Sequence, residues 1–447
     1  MKHLFFCFFL SFLFLSGLCQ AQTWTNLGSE GFSPGPSFYI TIALDRSGTA
    51  YVAFEDSTNG EKTTVMKFNG TDWVVVGSPG FSAGAATSIS LAIDTGGIPY
   101  VAFSDQANGG KVSVMKFNGA AWVNIGSPGF SAHVSQYVSL AIDKNNTPYM
   151  GYLGDGAIVM KFDGTNWVNV GAPGFSAGNT LYNKIALDTS GLPWMIYQDF
   201  ANGLKATVMK YNGSNWVTVG SPGFSSVAQT QYTTIAFGPD GTPYVAYTDG
   251  YDGSATVKKF DGTSWILVGT PAGNADWTSI AIDNAGNPYL SYVDILPGHK
   301  ATVLKYNGAA WDTVGIRGFS AGWAWYLNMA LDGSGNPYVA FLDATDGDKT
   351  TVMRIKNAAT EVKNSSTQNT SLSLFPNPGF GEFTCIVSAP ANEKVTIIIT
   401  NVTGEKVSEY RTTTNIKTQM NPDIRPGLYF VTALVSNEKL VAAIVVK

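Results

Sequence analysis

Seven tryptophans, Trp24, Trp73, Trp122, Trp167, Trp216, Trp265 and Trp311, stand 45 to 49 residues apart along the chain. Repetition at such a period dictates architecture before any local signal does, because a unit that cannot bury its own apolar face must stack on its neighbours. Each unit reads Trp-x-x-Val-Gly, then Pro-Gly-Phe-Ser, Ala-Ile-Asp, Pro-Tyr-Val-Ala and Thr-Val-Met-Lys-Phe-Asn-Gly. One unit thus accounts for roughly three quarters of the 447 residues.

The unit from Asn179 to Gly220 predicts four strands, at residues 183–188, 194–197, 206–211 and 216–219. Residues 189–193 are a turn signal and 199–205 a polar loop. Asn212-Gly213 reads as a tight hairpin turn, since Asn-Gly tolerates the positive φ angles such turns need. Four short antiparallel strands per unit is the content of a propeller blade. The Ala-x-Asp strand recurs at Ala43, Ala92, Ala141, Ala186, Ala236, Ala281 and Ala330, and the Val-Met-Lys strand at Val65, Val114, Val159, Val208, Val257, Val303 and Val352. The repeats open on an unpaired Trp24 strand and end at Val352 without a Trp strand after it. The fragments are complementary, so residues 24–27 are expected to complete the last blade and close a seven-bladed β-propeller over residues 22–356. An open solenoid is the rival, but closure removes the sheet edges that invite aggregation.

Charged residues are scarce at 13%, Gly is abundant at 49 copies, and the net charge of −5 comes with no basic block. That composition suits strands and turns and argues against nucleic acid as a partner. Lys2, the apolar run from Leu4 to Leu18 and the small-residue end at Ala21 read as a signal peptide over residues 1–21. The run is short for a membrane span, and no later segment is apolar for long enough to be one. Cys19 invites a lipoprotein reading, but Leu18 sits where a lipobox wants a small residue. Losing residues 1–21 removes Cys7 and Cys19 and leaves Cys385 alone, without an intramolecular disulfide and expected as a small core residue.

The repeat is similar to propeller repeats in general, without the Gly-His and Trp-Asp marks of Trp-Asp repeats or the Gly-Gly pair of kelch repeats. Residues 162–167, Phe-Asp-Gly-Thr-Asn-Trp, look like a sialidase Asp-box with one extra residue. Arg46, Arg317 and Arg354 do not recur at one position, as a sialidase or fucose-binding propeller would need. Residues 357–371 are rich in Asn, Ser, Thr and Ala and read as a linker. Residues 372–447 read as a small β-sandwich. Within them Phe375-Pro376-Asn377-Pro378, Gly404-Glu405-Lys406-Val407 and Pro426-Gly427-Leu428-Tyr429 resemble, in motif order, the C-terminal sorting domain of type IX secretion cargo. The resemblance implies the type IX machinery as a partner, and release from the cell or attachment at its outer surface.

Two columns of the repeat are candidate binding positions. Four residues before each repeat Ala lies Tyr39, Ser88, Tyr137, Tyr182, Tyr232, Trp277 or Tyr326, expected to line the mouth of the central channel. Six residues after each turn Pro (Ala50 in the first unit) lies Asp56, Asp105, Gly154, Asp199, Asp249, Asp294 or Asp343. Rings offer apolar area to the C–H face of a sugar, and carboxylates accept from its hydroxyls. The bland reading is structural: Lys62, Lys111, Lys205, Lys300 and Lys349 lie six residues past the Asp and predict repeated ion pairs, while the rings pack blade on blade. Units that break the repeat are the more informative, with Trp277 in unit six and Trp323 and Trp325 before Tyr326 in unit seven. Asp45, Asp94, Asp143, Asp188, Asp283 and Asp332 are expected in Asx turns, the repeated Trp in blade packing.

No catalytic set, metal-ligand cluster or cofactor site stands out, since the chain beyond residue 21 holds only His133 and His299. The leading expectation is a secreted or surface-displayed protein binding a glycan or another extracellular partner. The alternatives are a polysaccharide hydrolase or lyase using face carboxylates, such as Glu55 with Asp56 or Asp343 with Asp346 and Asp348, and a structural surface protein without a small ligand.

Overall fold

The structure, a computed structural model, describes residues 23–446 except 227, 251–252, 272, 357–370, 376–381 and 436–437. The predicted signal peptide, most of the linker and the Pro-Asn-Pro motif lie outside the described residues. Two compact units divide the chain at residues 357 and 358.

The first unit is a seven-bladed propeller built from seven four-stranded antiparallel sheets. In the second blade Ala86–Ile93 pairs with Pro99–Asp105, then Lys111–Phe117, then Trp122–Asn124. The second strand of that blade is buried along its whole length, because it is covered on both faces by neighbouring sheets. Tyr100, Ala102 and Val112 pack toward the following blade, while Val101 and Phe103 pack toward the preceding one. The innermost strands form a closed ring in which Ser37–Leu44 packs against both Ala86–Ile93 and Ala324–Leu331.

Closure is as expected. Thr23–Asn26 is the outer strand of the last blade, pairing with Lys349–Lys356 in a register that sets Trp24 opposite Ile355. Each repeated Trp joins two blades: Trp122 Nε1 donates to the Val76 carbonyl at 2.7 Å and its ring stacks on Phe81 at 4.2 Å. Trp24 repeats both contacts at the seam, with Val314 at 2.8 Å and Phe319 at 3.8 Å. Gly77 adopts φ +76° where an added Cβ would lie 3.0 Å from the Trp122 ring, so the Gly of Trp-x-x-Val-Gly is required by conformation and by contact.

The six Asx turns form as expected, Asp94 Oδ1 accepting from Gly96 N at 2.8 Å and Ile98 N at 2.9 Å. The hairpin expected to open at Asn212-Gly213 is present, but Asn serves it differently. Residues 212–215 form a four-residue loop in which only Gly213 takes positive φ, and Asn212 instead accepts from Ser214 N and Asn215 N. The side chain, not a left-handed backbone, is what Asn supplies there.

The second unit is a two-sheet sandwich. One sheet holds Ser371–Phe375, Phe383–Ser388 and Lys417–Met420, and the other Lys406–Thr413, Lys394–Asn401, Gly427–Val435 and Glu438–Val446. Cys385 is a buried core residue among Phe383, Ile397 and Met420, and burial pushes its thiol up to about 11.

Candidate functional site

The aromatic column sits on a repeated backbone irregularity. In blade one Phe38 pairs with Glu55 and Thr41 with Ala53, so the inner strand carries one residue more than its partner. The same bulge recurs in blades two, four, five, six and seven. Tyr39, Ser88, Tyr137, Tyr182, Tyr232, Trp277 and Tyr326 all take φ between 49° and 57°. A bulky residue in that region is strained, at a cost of about 1–3 kcal/mol each, and bulges re-aim a side chain out of the pleat.

The re-aimed rings converge. Tyr137 lies 4.9 Å from Tyr182, Tyr182 5.2 Å from Tyr232, and Tyr232 5.0 Å from Trp277. Trp277 is 5.7 Å from Tyr326, and Tyr326 5.3 Å from Tyr39. Ser88 occupies the gap between Tyr39 and Tyr137, its hydroxyl accepting from Tyr137 N at 3.2 Å. The six rings, all half-buried, thus form an open collar around a channel cavity of about 420 Å³ lined by all seven blades. Burial first, and then the adjacent Tyr182 hydroxyl, pushes the Tyr137 phenol up to about 12.

Two residues further along each inner strand stand Thr41, Ser90, Ser139, Lys184, Thr234, Ser279 and Asn328, all but Ser90 and Ser139 lining the cavity. Several tie blades together by accepting from the next inner strand, as Ser139 Oγ does from Ile185 N at 3.1 Å and Asn328 Oδ1 from Ile42 N at 3.3 Å. Lys184 cannot accept. It is the one cation lining the cavity, its ammonium has no ion-pair or hydrogen-bond partner among the described residues, and enclosure pulls its pKa below the usual lysine range. Sequence reasoning missed it. The signal was a lone Lys in a column of small polar residues, two positions after Tyr182.

The Asp column lies elsewhere. Asp56, Asp105, Asp199, Asp249, Asp294 and Asp343 are all 5% exposed or less. In four blades the Asp caps a single 3₁₀ turn. Asp105 accepts from Ala107 N at 3.1 Å, Asn108 Nδ2 at 2.8 Å and Ser113 Oγ at 2.7 Å. Asp56 and Asp199 repeat the set. Asp249 accepts from Ser226 Oγ, and Asp294 takes a two-pronged bond from Arg317. The ion pairs expected with Lys62, Lys111, Lys205, Lys300 and Lys349 do not form among the described residues. In blades one, two and four Asn three residues on and Thr or Ser eight residues on reach the carboxylate instead, and in blade six Arg317 does.

The carboxylates that do act on the collar are others. Glu55 raises the phenols of Tyr39 and Tyr326 after burial does, and is itself pushed up to about 7 by burial and then by Glu61. Asp276 does the same to Tyr182 and Tyr232. Its own pKa is raised by burial against an opposing pull from His299. Where the repeats disagree, Trp325 meets Trp277 edge-on at 5.0 Å, and His299 lies 5.1 Å from Trp323 and 6.0 Å from Trp325. Trp277 belongs to the collar; Trp325 packs behind it, and Trp323 is 53% exposed outside it.

Residues 373–447 match the family described as Secretion system C-terminal sorting domain. The chain therefore carries a type IX sorting domain and is directed to the cell surface; no helix among the described residues is long and apolar enough to cross a membrane. No curated protein matches the chain. Among solved structures it is similar to the Aleuria aurantia lectin in complex with Fucα1-6GlcNAc, at 16% identity and a TM-score of 0.45 over 65% of this chain and 100% of that one. It is also similar to an ulvan lyase, described as a new family of polysaccharide lyase, at 11% identity and TM-score 0.47 over 75% and 94%. A protein of unknown function from Dyadobacter fermentans gives 13% and 0.41 over 75% and 98%. At these values the likenesses say nothing of what this chain binds.

Proposed function

We propose that the chain is an extracellular binding protein whose channel mouth takes a glycan, and that the glycan carries a carboxylate or sulfate met by Lys184. On this reading residues 1–21 are a signal peptide, 22–356 the binding propeller, 357–371 a linker and 372–447 the tail handled by the type IX machinery. The observation that carries it is the left-handed backbone at the collar position in every blade, set in a bulge in six of the seven. Packing alone gains nothing from strain at those positions, whereas a collar of rings around an open cavity presents apolar faces to a pyranose. The half-buried ammonium on the channel wall, without a protein partner among the described residues, favours an anion over a neutral sugar. The carboxylates of the Asp column take no part, being occupied in turns or buried.

A glycan array with the full-length chain tests the reading. Binding is expected among uronate-bearing or sulfated glycans, lost at least tenfold in Trp277→Ala and Tyr326→Ala. Lys184→Met is expected to erase the preference for acidic over neutral ligands. An array without hits, or hits indifferent to all three substitutions, overturns the proposal. Product release from a polysaccharide, abolished by Glu55→Gln, would replace it with the hydrolase or lyase reading.

A further inference from the structure

The seam that closes the ring departs from the repeat at two positions that meet. The residue after the first Gly-Ser, Pro79, Pro128 and Pro222 in sister blades, is Glu30 at the seam and Arg317 in the blade before it. The turn residue Asn59, Asn108 or Asn202 is Asp346 at the seam. In the sister turns that Asn donates Nδ2 to the column Asp at 2.8 Å. At the seam a carboxylate replaces the donor. Asp343 is 1% exposed, and its Oδ2, like Oδ2 of Asp346, is buried without a hydrogen-bond partner. Carboxylate oxygens of Glu30, Asp343 and Asp346 lie within 4.8 Å of one another.

The preceding blade shows what such a carboxylate needs. There the equivalent of Asp343 is Asp294, and the residue in Glu30's place, Arg317, binds it with Nη2 at 3.0 Å and with Nε. The protein supplies a cation at that seam and a third carboxylate at this one. Three carboxylates around buried, unpartnered oxygens repel unless a positive charge sits between them. We propose that Glu30, Asp343 and Asp346 hold a hard divalent cation, calcium by their all-oxygen donor set, joining the segment after the N-terminal strand to the last blade. Water and backbone carbonyls complete the coordination, so an extracellular affinity in the range of about 10⁻⁴–10⁻³ M is expected.

The experiment is calcium titration of the full-length, chelator-treated protein by calorimetry, with melting curves at each concentration. Binding and a rising Tm are expected. Asp346→Asn restores the donor of the sister turns and is expected to bind calcium at least tenfold more weakly, with a Tm that calcium no longer moves. Glu30→Gln, at an exposed position, is expected to weaken binding without disturbing the fold. Absence of calcium binding in the native protein, or unchanged binding in both variants, overturns the proposal. A Tm that calcium does not move in the native protein overturns it too.

Discussion

Among single residues the most informative are those that break a column. Glu55 faces Phe38 and Thr63 across the sheet of the first blade and its charge raises the phenols of Tyr39 and Tyr326, while sister units carry Ser104 or Gln198 in its place. Burial, with Glu61 beside it, holds its carboxyl at about 7. A carboxyl whose pKa is raised on folding keeps its proton in the native state after the unfolded chain has lost it. Its contribution is therefore fully present below the ordinary glutamate range and declines as pH rises toward 7. Glu55→Gln is expected to flatten that part of the profile, so that the Tm difference between native and variant grows from pH 4.5 to pH 7.5 in favour of the variant. Parallel profiles across that interval would show that Glu55 ionises as a surface carboxyl.

At the scale of the element, the turn after the second strand is built around a buried carboxylate. Asp105 joins Ala107 N, Asn108 and Ser113 in one buried set, whereas Asp163 makes a similar turn in solvent. Removing a buried acceptor strands its donors at roughly 1–3 kcal/mol for a neutral pair and more for a carboxylate. Asp105→Ala is thus expected to cost about 3 kcal/mol in denaturant unfolding and Asp163→Ala far less, with glycan affinity unchanged in both. Equal costs would mean that the buried set does not hold the turn. The same element shows what the sequence carried and what it hid. Strand order, blade number and the Asx turns followed from spacing, because each is a period in apolar and turn residues. The partners of Asp105 did not, since Asn108 and Ser113 approach it only once the turn has formed. The bulge at Tyr39 left no trace either, as an extra residue in one strand is visible only against its partner. Lys184 and Glu30 were legible as exceptions, but their importance depended on which neighbours lacked a counter-charge.

At the scale of the whole propeller, closure concentrates in one short strand. Every other outer strand follows its own blade in sequence, but the last blade takes Thr23–Asn26 from the far end of the repeats. Among the described residues four pairs hold it, Thr23 with Lys356 through Asn26 with Met353, continued by Leu27 N donating to the Val352 carbonyl at 2.8 Å. Backbone pairing over four residues is marginal by itself, so the Trp24 ring on Phe319 and its bond to Val314 carry much of the closure. Loss of a comparable Trp within the ring, Trp122→Ala, costs local packing of about 3–5 kcal/mol but leaves both neighbouring blades joined by chain. Trp24→Ala removes the same contacts where no such chain connection exists, and frees the edge of Lys349–Lys356. The expected outcome is site-specific: hydrogen exchange in residues 349–356 should accelerate strongly in Trp24→Ala, and should stay near native in Trp122→Ala. If the cation at the seam shares the task, added calcium will slow that exchange in the native protein and much less so in Asp346→Asn. Protection of 349–356 that survives Trp24→Ala in chelator would place the closing free energy in the strand pairing itself.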